Sequence, residues 1–266
     1  MTVADPARWR PPLLIEKRTW RWGLYLSALL YLALALGSMD VDWERVKEGA
    51  QRGVTFMAAF LRPDFVSHQE DIIAGLMESL TMTLAATVLG VFLAIPMALG
   101  AAANMAPRPV YLVCRTIIAL CRSFQEIILA IFFVAMFGFG PFAGLVTLIV
   151  ATVGFFGKLL AEEIEAMDPA PVEAMRATGG KWLQVVNYGV QPQVMPRVIG
   201  LSLYRLDINF RESAVIGIVG GGGIGSTLNT AFDRYEFDTA AAILLLIIAI
   251  VMATEYFSGQ VREWVR

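Results

Sequence analysis

Six blocks of apolar residues, each close to the thickness of a lipid bilayer, constrain this chain more than any other feature. They fall at 22–39, 79–103, 110–137, 142–160, 197–219 and 237–257. A helix crosses the hydrocarbon core with about 20 consecutive apolar residues. Lipid offers no partner to backbone N–H and C=O groups, so uniformly apolar runs must satisfy them internally, as helices. The alternating pattern of a membrane β-strand is missing. Composition agrees: 57% of residues are hydrophobic and 17% charged, against about 25% charged in soluble domains. The sequence predicts an all-α integral membrane protein with about six transmembrane helices.

Lysine and arginine counts orient the spans. Thirteen of these residues lie in segments on the N-terminal side of the membrane and five on the other, which predicts both termini in the cytoplasm. Residues 1–39 then form a cytoplasmic N-terminus and a first helix. Ala35, Leu36 and Gly37 resemble a cleavage site, but 21 polar-flanked residues precede the apolar run; an uncleaved signal anchor is expected. Residues 40–78 form an external segment, where the mix of charge and apolar residues at 43–61 leaves an interfacial helix and an irregular loop open. Residues 79–260 form the core, with a cytoplasmic loop at 166–196, and 261–266 a cytoplasmic tail. A net charge of −2 and no basic cluster argue against nucleic acid. Cys114 and Cys121, seven apart in one span, read as packing residues, and the single histidine, His68, makes no metal site alone.

The loop at 166–196 is more ordered than a connection needs to be. Pro169 and Pro171 end the fourth span's helix. A short helix is predicted at 172–178, stopped at Gly179–Gly180, and a second at 181–188, ended by Gly189 and Pro192. Together they make a knob with Ala174 and Ala177 as a small-residue face, and Glu173 favours the helix start. An ordinary polar loop with a helix-starting proline accounts for the composition as well.

Charges sit where lipid makes them costly. Arg205, Asp207, Asn209, Arg211 and Glu212 lie in the fifth span, and each charge costs roughly 2.5–3.5 kcal/mol at mid-membrane unless paired or wet. At helical spacing Arg205, Asn209 and Glu212 share one face, while Asp207 and Arg211 fall nearly opposite, beside Tyr204. One face lines a pathway and the other packs against a neighbour, or both are structural ion pairs. Arg122 and Glu126 are spaced to pair within the third helix, and Lys158 to snorkel from the fourth. The GGGGIG run at 220–225 contains GxGxxG, but with no βαβ unit around it a dinucleotide site is excluded. It is expected to end the fifth helix and bend into a polar loop at 229–236.

The loop segment resembles the EAA loop of ABC-importer permeases. Glu173, Ala174, Gly179 and Pro192 fall in register; Met175 replaces the second alanine, and Gly189 and Gln191 stand where isoleucine and leucine are usual. From about residue 79 onward the chain resembles the phosphonate-type branch, in GPFAG at 140–144, GKLLAEEIE at 157–165, YGVQPQVMP at 188–196 and LYRLDINFRESAVIGIVGGGGIG at 203–225. It departs at Gln125, where a proline before Glu126 is usual, which bears on a local helix kink.

The resemblance implies a type I ABC importer permease-like core with an extra N-terminal helix, in a bacterial inner membrane. It implies a second copy of the chain, two ATPase subunits that hold ATP and Mg, an external binding protein, and a phosphonate, phosphite or phosphate substrate. Glu173, Ala174, Met175, Gly179 and Gly180 then become the ATPase-coupling residues. Arg205, Asp207, Asn209, Arg211 and Glu212 become pathway candidates, and Gly220, Gly221, Gly222, Gly223 and Gly225 a candidate outer gate or binding-protein contact. This chain has no P-loop: Gly157–Lys158 lacks the upstream glycine and is followed by Leu159, so no cofactor is expected on it. An ion-driven secondary transporter using Asp207 and Glu212 as a proton relay is the competing reading. A membrane enzyme is disfavoured by one histidine and no activated nucleophile.

Overall fold

The computed structural model describes residues 17–38 and 42–265, and these form eleven α-helices joined by turns, with no strand among the described residues. The expected cytoplasmic segment up to residue 16, the last residue of the first expected span (39), the first two of the external segment (40–41), and Arg266 lie outside them. Two compact units divide the chain, residues 1–54 and 55–266.

In the first unit α1 (Arg18–Gly37) is apolar beyond its first turn apart from Ser27, and exposes every side chain except the half-covered Arg21. Helix α2 (Trp43–Ala59) begins where Asp42 Oδ1 accepts the Glu44 and Arg45 N–H groups at 3.1 and 3.3 Å. That satisfies donors a helix start leaves orphaned. A helix therefore stands at Trp43–Ala59, within the stretch 43–61 for which the sequence alone leaves helix and loop open.

The second unit is built around α3 (Gln69–Ala101) and α6 (Pro141–Ala166), which make the most extensive helix pairing. Lipid tails are as apolar as leucine, so helices in a bilayer gain little by hiding leucine from lipid and associate through close packing. Small residues supply it. A β-carbon on Gly90 would stand 2.6 Å from Thr152 Cβ, and one on Gly144 2.7 Å from Met82 Sδ. Buried Ala86, Gly90, Ala94, Ala98 and Ala101 continue the same stripe of α3.

Helices α4 (Arg108–Ser123) and α5 (Glu126–Phe137) meet at 92°. The third expected span at 110–137 is thus not one helix. Phe124 and Gln125 both take extended backbone angles, so the chain turns without the usual proline. The break also separates Arg122 from Glu126, and no ion pair joins them among the described residues. After α6, α7 (Ala170–Ala177) is short, and α8 (Trp182–Val185) leads through a π-helical turn at Val186–Val190 into α9 (Gln191–Ile216). A second π-helical turn, Gly217–Gly221, precedes α10 (Ile224–Asp233), and α11 (Phe237–Val265) completes the chain.

Two expectations are corrected here. The second short helix at 181–188 does not end at Gly189 and Pro192; it is the first stretch of a long helix. The π-helical turn inserts the extra residue that a proline needs, since Pro192 has no N–H and its ring crowds the preceding turn. Gln193 Nε2 donates to the Gly189 carbonyl at 2.7 Å, filling an acceptor at the disturbed turn. The polar loop expected at 229–236 is mostly helix, because α10 runs to Asp233.

Among the described residues three helices, Gln69–Ala101, Pro141–Ala166 and Phe237–Gln260, are long and apolar enough to cross a membrane. Each bent pair, α4 with α5 and the helix from Trp182 with α10, adds a fourth and a fifth. The twenty-residue α1, expected as the first span, is not among them.

Candidate functional site

Three places along the second unit hold the residues singled out by sequence. The first is α7. Its C-terminus follows the Schellman pattern, with Gly179 N–H donating to Arg176 O at 3.0 Å and Gly180 N–H to Met175 O at 3.1 Å. Gly179 has φ +78°, a left-handed conformation that glycine takes without strain. Val172 is buried in a core cluster with Phe156, Leu160, Ile164, Val190 and Leu201, and Met175 packs against the same cluster. Glu173, Ala174 and Ala177 are exposed. Met175, placed by sequence with the outward residues, instead helps to seat the helix.

Gly189 explains its own departure from the family pattern. A β-carbon there would lie 3.2 Å from Val172 Cα and 3.5 Å from Pro171 O, so α7 rests directly on the π-helical turn. Gln193 clips the preceding bend, accepting the Asp168 N–H at 3.1 Å and donating to the Asp168 carbonyl at 3.2 Å.

Beside α7 stands a network that sequence reasoning missed. Arg115 Nη2 donates to both Glu165 oxygens at 2.8 Å, and its Nε to Ala101 O at 2.9 Å. Glu165 also accepts the Ala103 N–H at 2.8 Å, and Asn104 Nδ2 donates to Ile164 O at 2.7 Å. These bonds fill groups orphaned at the ends of α3 and α6. Their partners are 14 to 62 residues apart, beyond any local signal. Lys158 pairs with Glu162 one turn on, at 3.3 Å. Cys114 and Cys121 are free and pack onto Gly100 and Gly154.

The second place is the middle of α9, where the two polar faces do different work. Arg205 is 2% exposed. Its Nε donates to Thr152 Oγ1 at 3.1 Å, its Nη2 to Glu212 at 3.3 Å, and its guanidinium lies 5.3 Å from the Phe155 ring centroid. Asn209 is fully buried and donates to Thr87 Oγ1 at 2.9 Å and Thr152 Oγ1 at 3.1 Å. Asp207 is buried too, paired with Arg211 and accepting from Thr254 of α11 at 3.1 Å. Arg205, Asn209 and Asp207 therefore face protein. Arg211 is 53% exposed and Glu212 23%, and only these two of the five pathway candidates reach an open surface. Glu126, expected to pair with Arg122, instead lies near Glu212 and Arg205.

The third place is the glycine run. Gly220, Gly222 and Gly223 take φ of +98°, +77° and +73°. Glu78 Oε2 accepts the Gly223 N–H at 3.1 Å and Ser79 Oγ the Ile224 N–H at 2.9 Å, capping α10 from α3. Gly140 N–H donates to the Gly220 carbonyl at 2.9 Å. Side chains on Gly222 would meet Pro141, and on Gly225 the Ala214 carbonyl. The run is a close-packed reversal between α9 and α10, locked onto the start of α3 and α6.

Comparison with known proteins follows from this arrangement. Residues 75–264 match the family described as binding-protein-dependent transport system inner membrane component. The chain is 40% identical to the phosphate-import permease protein PhnE of Mycolicibacterium smegmatis over 98% of its own length, and spans about half (49%) of that relative. It is 38% identical to the phosphite transport system permease protein PtxC of Stutzerimonas stutzeri, over 91% of this chain and 86% of that one. A chain of the MetNI methionine ABC transporter, solved in inward-facing conformations, superposes with TM-score 0.66 at 21% identity, covering 73% of this chain and 96% of that one. The fold is that of a type I ABC importer permease. The chain belongs to the family of inner-membrane components of binding-protein-dependent transport systems.

Proposed function

We propose that this chain is the membrane-spanning subunit of an ATP-driven importer that carries a phosphonate, or a related phosphorus oxyanion such as phosphite or phosphate, into the cytoplasm. The substrate class rests on the functions of its relatives, phosphate, phosphite and phosphonate permeases. The observation that carries the coupling is the seating of α7. One side is fixed to a core cluster shared with the spans, through Val172 and Met175; the other presents Glu173, Ala174 and Ala177 outward. A short rigid element that is anchored on one face and free on the other suits a cleft on a partner ATPase, where two such subunits supply ATP and Mg. A second copy of the chain and an external binding protein complete the assembly. The lysine and arginine counts favour a cytoplasmic α7. The proton-relay alternative is weakened because Asp207 and Glu212 are each held by an arginine.

The test is association and transport together. In proteoliposomes holding the full complex, uptake of methylphosphonate is expected to need ATP and to survive collapse of the proton gradient. Glu173→Arg is expected to reduce co-purification of the ATPase and uptake in parallel. Undiminished association and transport in that variant would refute the docking role, and uptake abolished by the ionophore would favour the secondary transporter.

A further inference from the structure

The open edge of the α9 cluster carries more chemistry than packing requires. Tyr204, Arg211 and Val215 of α9, with Ile218 of the π-helical turn that follows it, form an exposed stripe, at 43%, 53%, 43% and 45%. An arginine held open on the flank of a membrane helix is expensive against lipid, so this stripe suits a wet path. Glu212 lies at its edge. The groups that face Glu212 are Arg205 and Arg211 on its own helix and Glu126 from the first turn of α5; Tyr204 lies near Arg205. With Asp207 the cluster holds two guanidiniums and three carboxyls.

An oxyanion that reaches Arg211 meets a guanidinium fork suited to two of its oxygens. It also meets the Glu212 carboxyl, which repels a fully ionised oxyanion and accepts a hydrogen bond from one that keeps an O–H. Phosphonate, phosphite and phosphate monoanions keep a P–OH; sulfate near neutral pH has no such hydrogen. We propose that Arg211 and Glu212, backed by Arg205, form an oxyanion site in the permease that selects oxyanions bearing an O–H and rejects sulfate. Such discrimination uses a repulsive group as much as an attractive one. The proposal rests on the reading above that the cargo is a phosphorus oxyanion, and it assigns to the permease a selection separate from that of the binding protein.

The experiment uses the ATPase–permease complex in lipid nanodiscs without binding protein. Methylphosphonate binding is followed by phosphorus NMR line broadening at pH values on either side of its second ionisation, with sulfate as competitor. The wild-type complex is expected to bind the monoanion at least about tenfold more tightly than the dianion, since a hydrogen bond to a charged group is lost and repulsion gained. Sulfate is expected not to compete. Glu212→Gln keeps an acceptor while removing the charge; it is expected to flatten the pH response and admit sulfate. Equal binding of both ionisation states, competition by sulfate, or no broadening in the wild type would overturn the site, and none of these depends on a variant folding. ATP-driven uptake by the complete transporter is measured in parallel. Uptake that persists while the selectivity fails refutes the site alone; uptake absent from the wild type refutes the proposed function.

Discussion

Gly189→Val tests whether α7 is held by the contact that the structure shows. The eight-residue helix buries one side chain, Val172, at 5% exposure, and half-buries Met175. Burial of one valine contributes about 1.5–3 kcal/mol. The remaining tie, Arg176 Nη2 to Asn104 O at 3.5 Å, is at the limit of a hydrogen bond. A β-carbon at 189 would lie 3.2 and 3.3 Å from Val172 Cα and Cγ2. Alanine therefore asks for a shift of a few tenths of an ångström, and valine pushes two further methyls at α7. Overpacking of this kind costs about 1–3 kcal/mol, the same size as the whole seat, so α7 should lift while the helix from Trp182 stays. Amide hydrogen exchange over residues 172–180 is expected to rise about five- to 150-fold by that energy, with α3 and α6 unchanged. Substrate moved per ATP should fall, and Gly189→Ala should do little. Unaltered exchange in the valine variant would refute the seating argument.

Two further perturbations probe the middle and the far end. Arg205→Leu should destabilise the protein by about 3–5 kcal/mol, because it strands Glu212 and uncovers Thr152; the double variant Arg205→Leu/Glu212→Leu should recover much of that, read by thermal unfolding in detergent. Gly222→Val and Gly223→Val force side chains into positive φ and against Pro141 and Ser79. They should abolish transport while leaving ATPase association intact, and normal transport would count heavily against an outer gate.

The parts of this fold that announce themselves locally were legible in sequence. Apolar length placed the cores of α3, α6 and α11, and Gly179–Gly180 marked the end of α7, since a Schellman cap is made within six residues. The pair Asp207–Arg211 was readable for the same reason, one helical turn apart. What failed depends on distant groups. The elbow at Phe124–Gln125 carries neither proline nor glycine. Gly189 and Pro192 are strong stop signals overruled by a π-helical turn and the Gln193 side chain. Residues 229–233 look like a loop because the groups that start their helix, Glu78 and Ser79, are 145 residues away. In the cluster, Arg205 stands out in sequence, but Thr152 and Thr87 lie 53 and 122 residues from their partners, and the spacing of Arg122 and Glu126 suggests a pair only if the helix is unbroken.

The placing of these polar bonds bears on why a membrane bundle keeps them at all. Within five residues α9 bonds three neighbours: Arg205 reaches Thr152 of α6, Asp207 receives Thr254 of α11, and Asn209 reaches Thr87 of α3 as well as Thr152. Interhelical hydrogen bonds in membranes average about 0.6 kcal/mol each, so the set contributes little net stability. Its effect is on register. Apolar faces slide past one another at small cost in lipid, whereas a turn's slip of α9 would strand a guanidinium, a carboxylate and an amide together, each a buried group costing several kcal/mol. Register at residues 205–209 in turn fixes which residues face outward two positions later, where Arg211 and Glu212 stand open. It also sets where the two ends of the same helix fall, with Gly189 beneath α7 and Gly217–Gly221 against α5 and α6. The buried polar cluster and the exposed stripe are therefore one device: the first spends its bonds on position so that the second presents charge on a defined face.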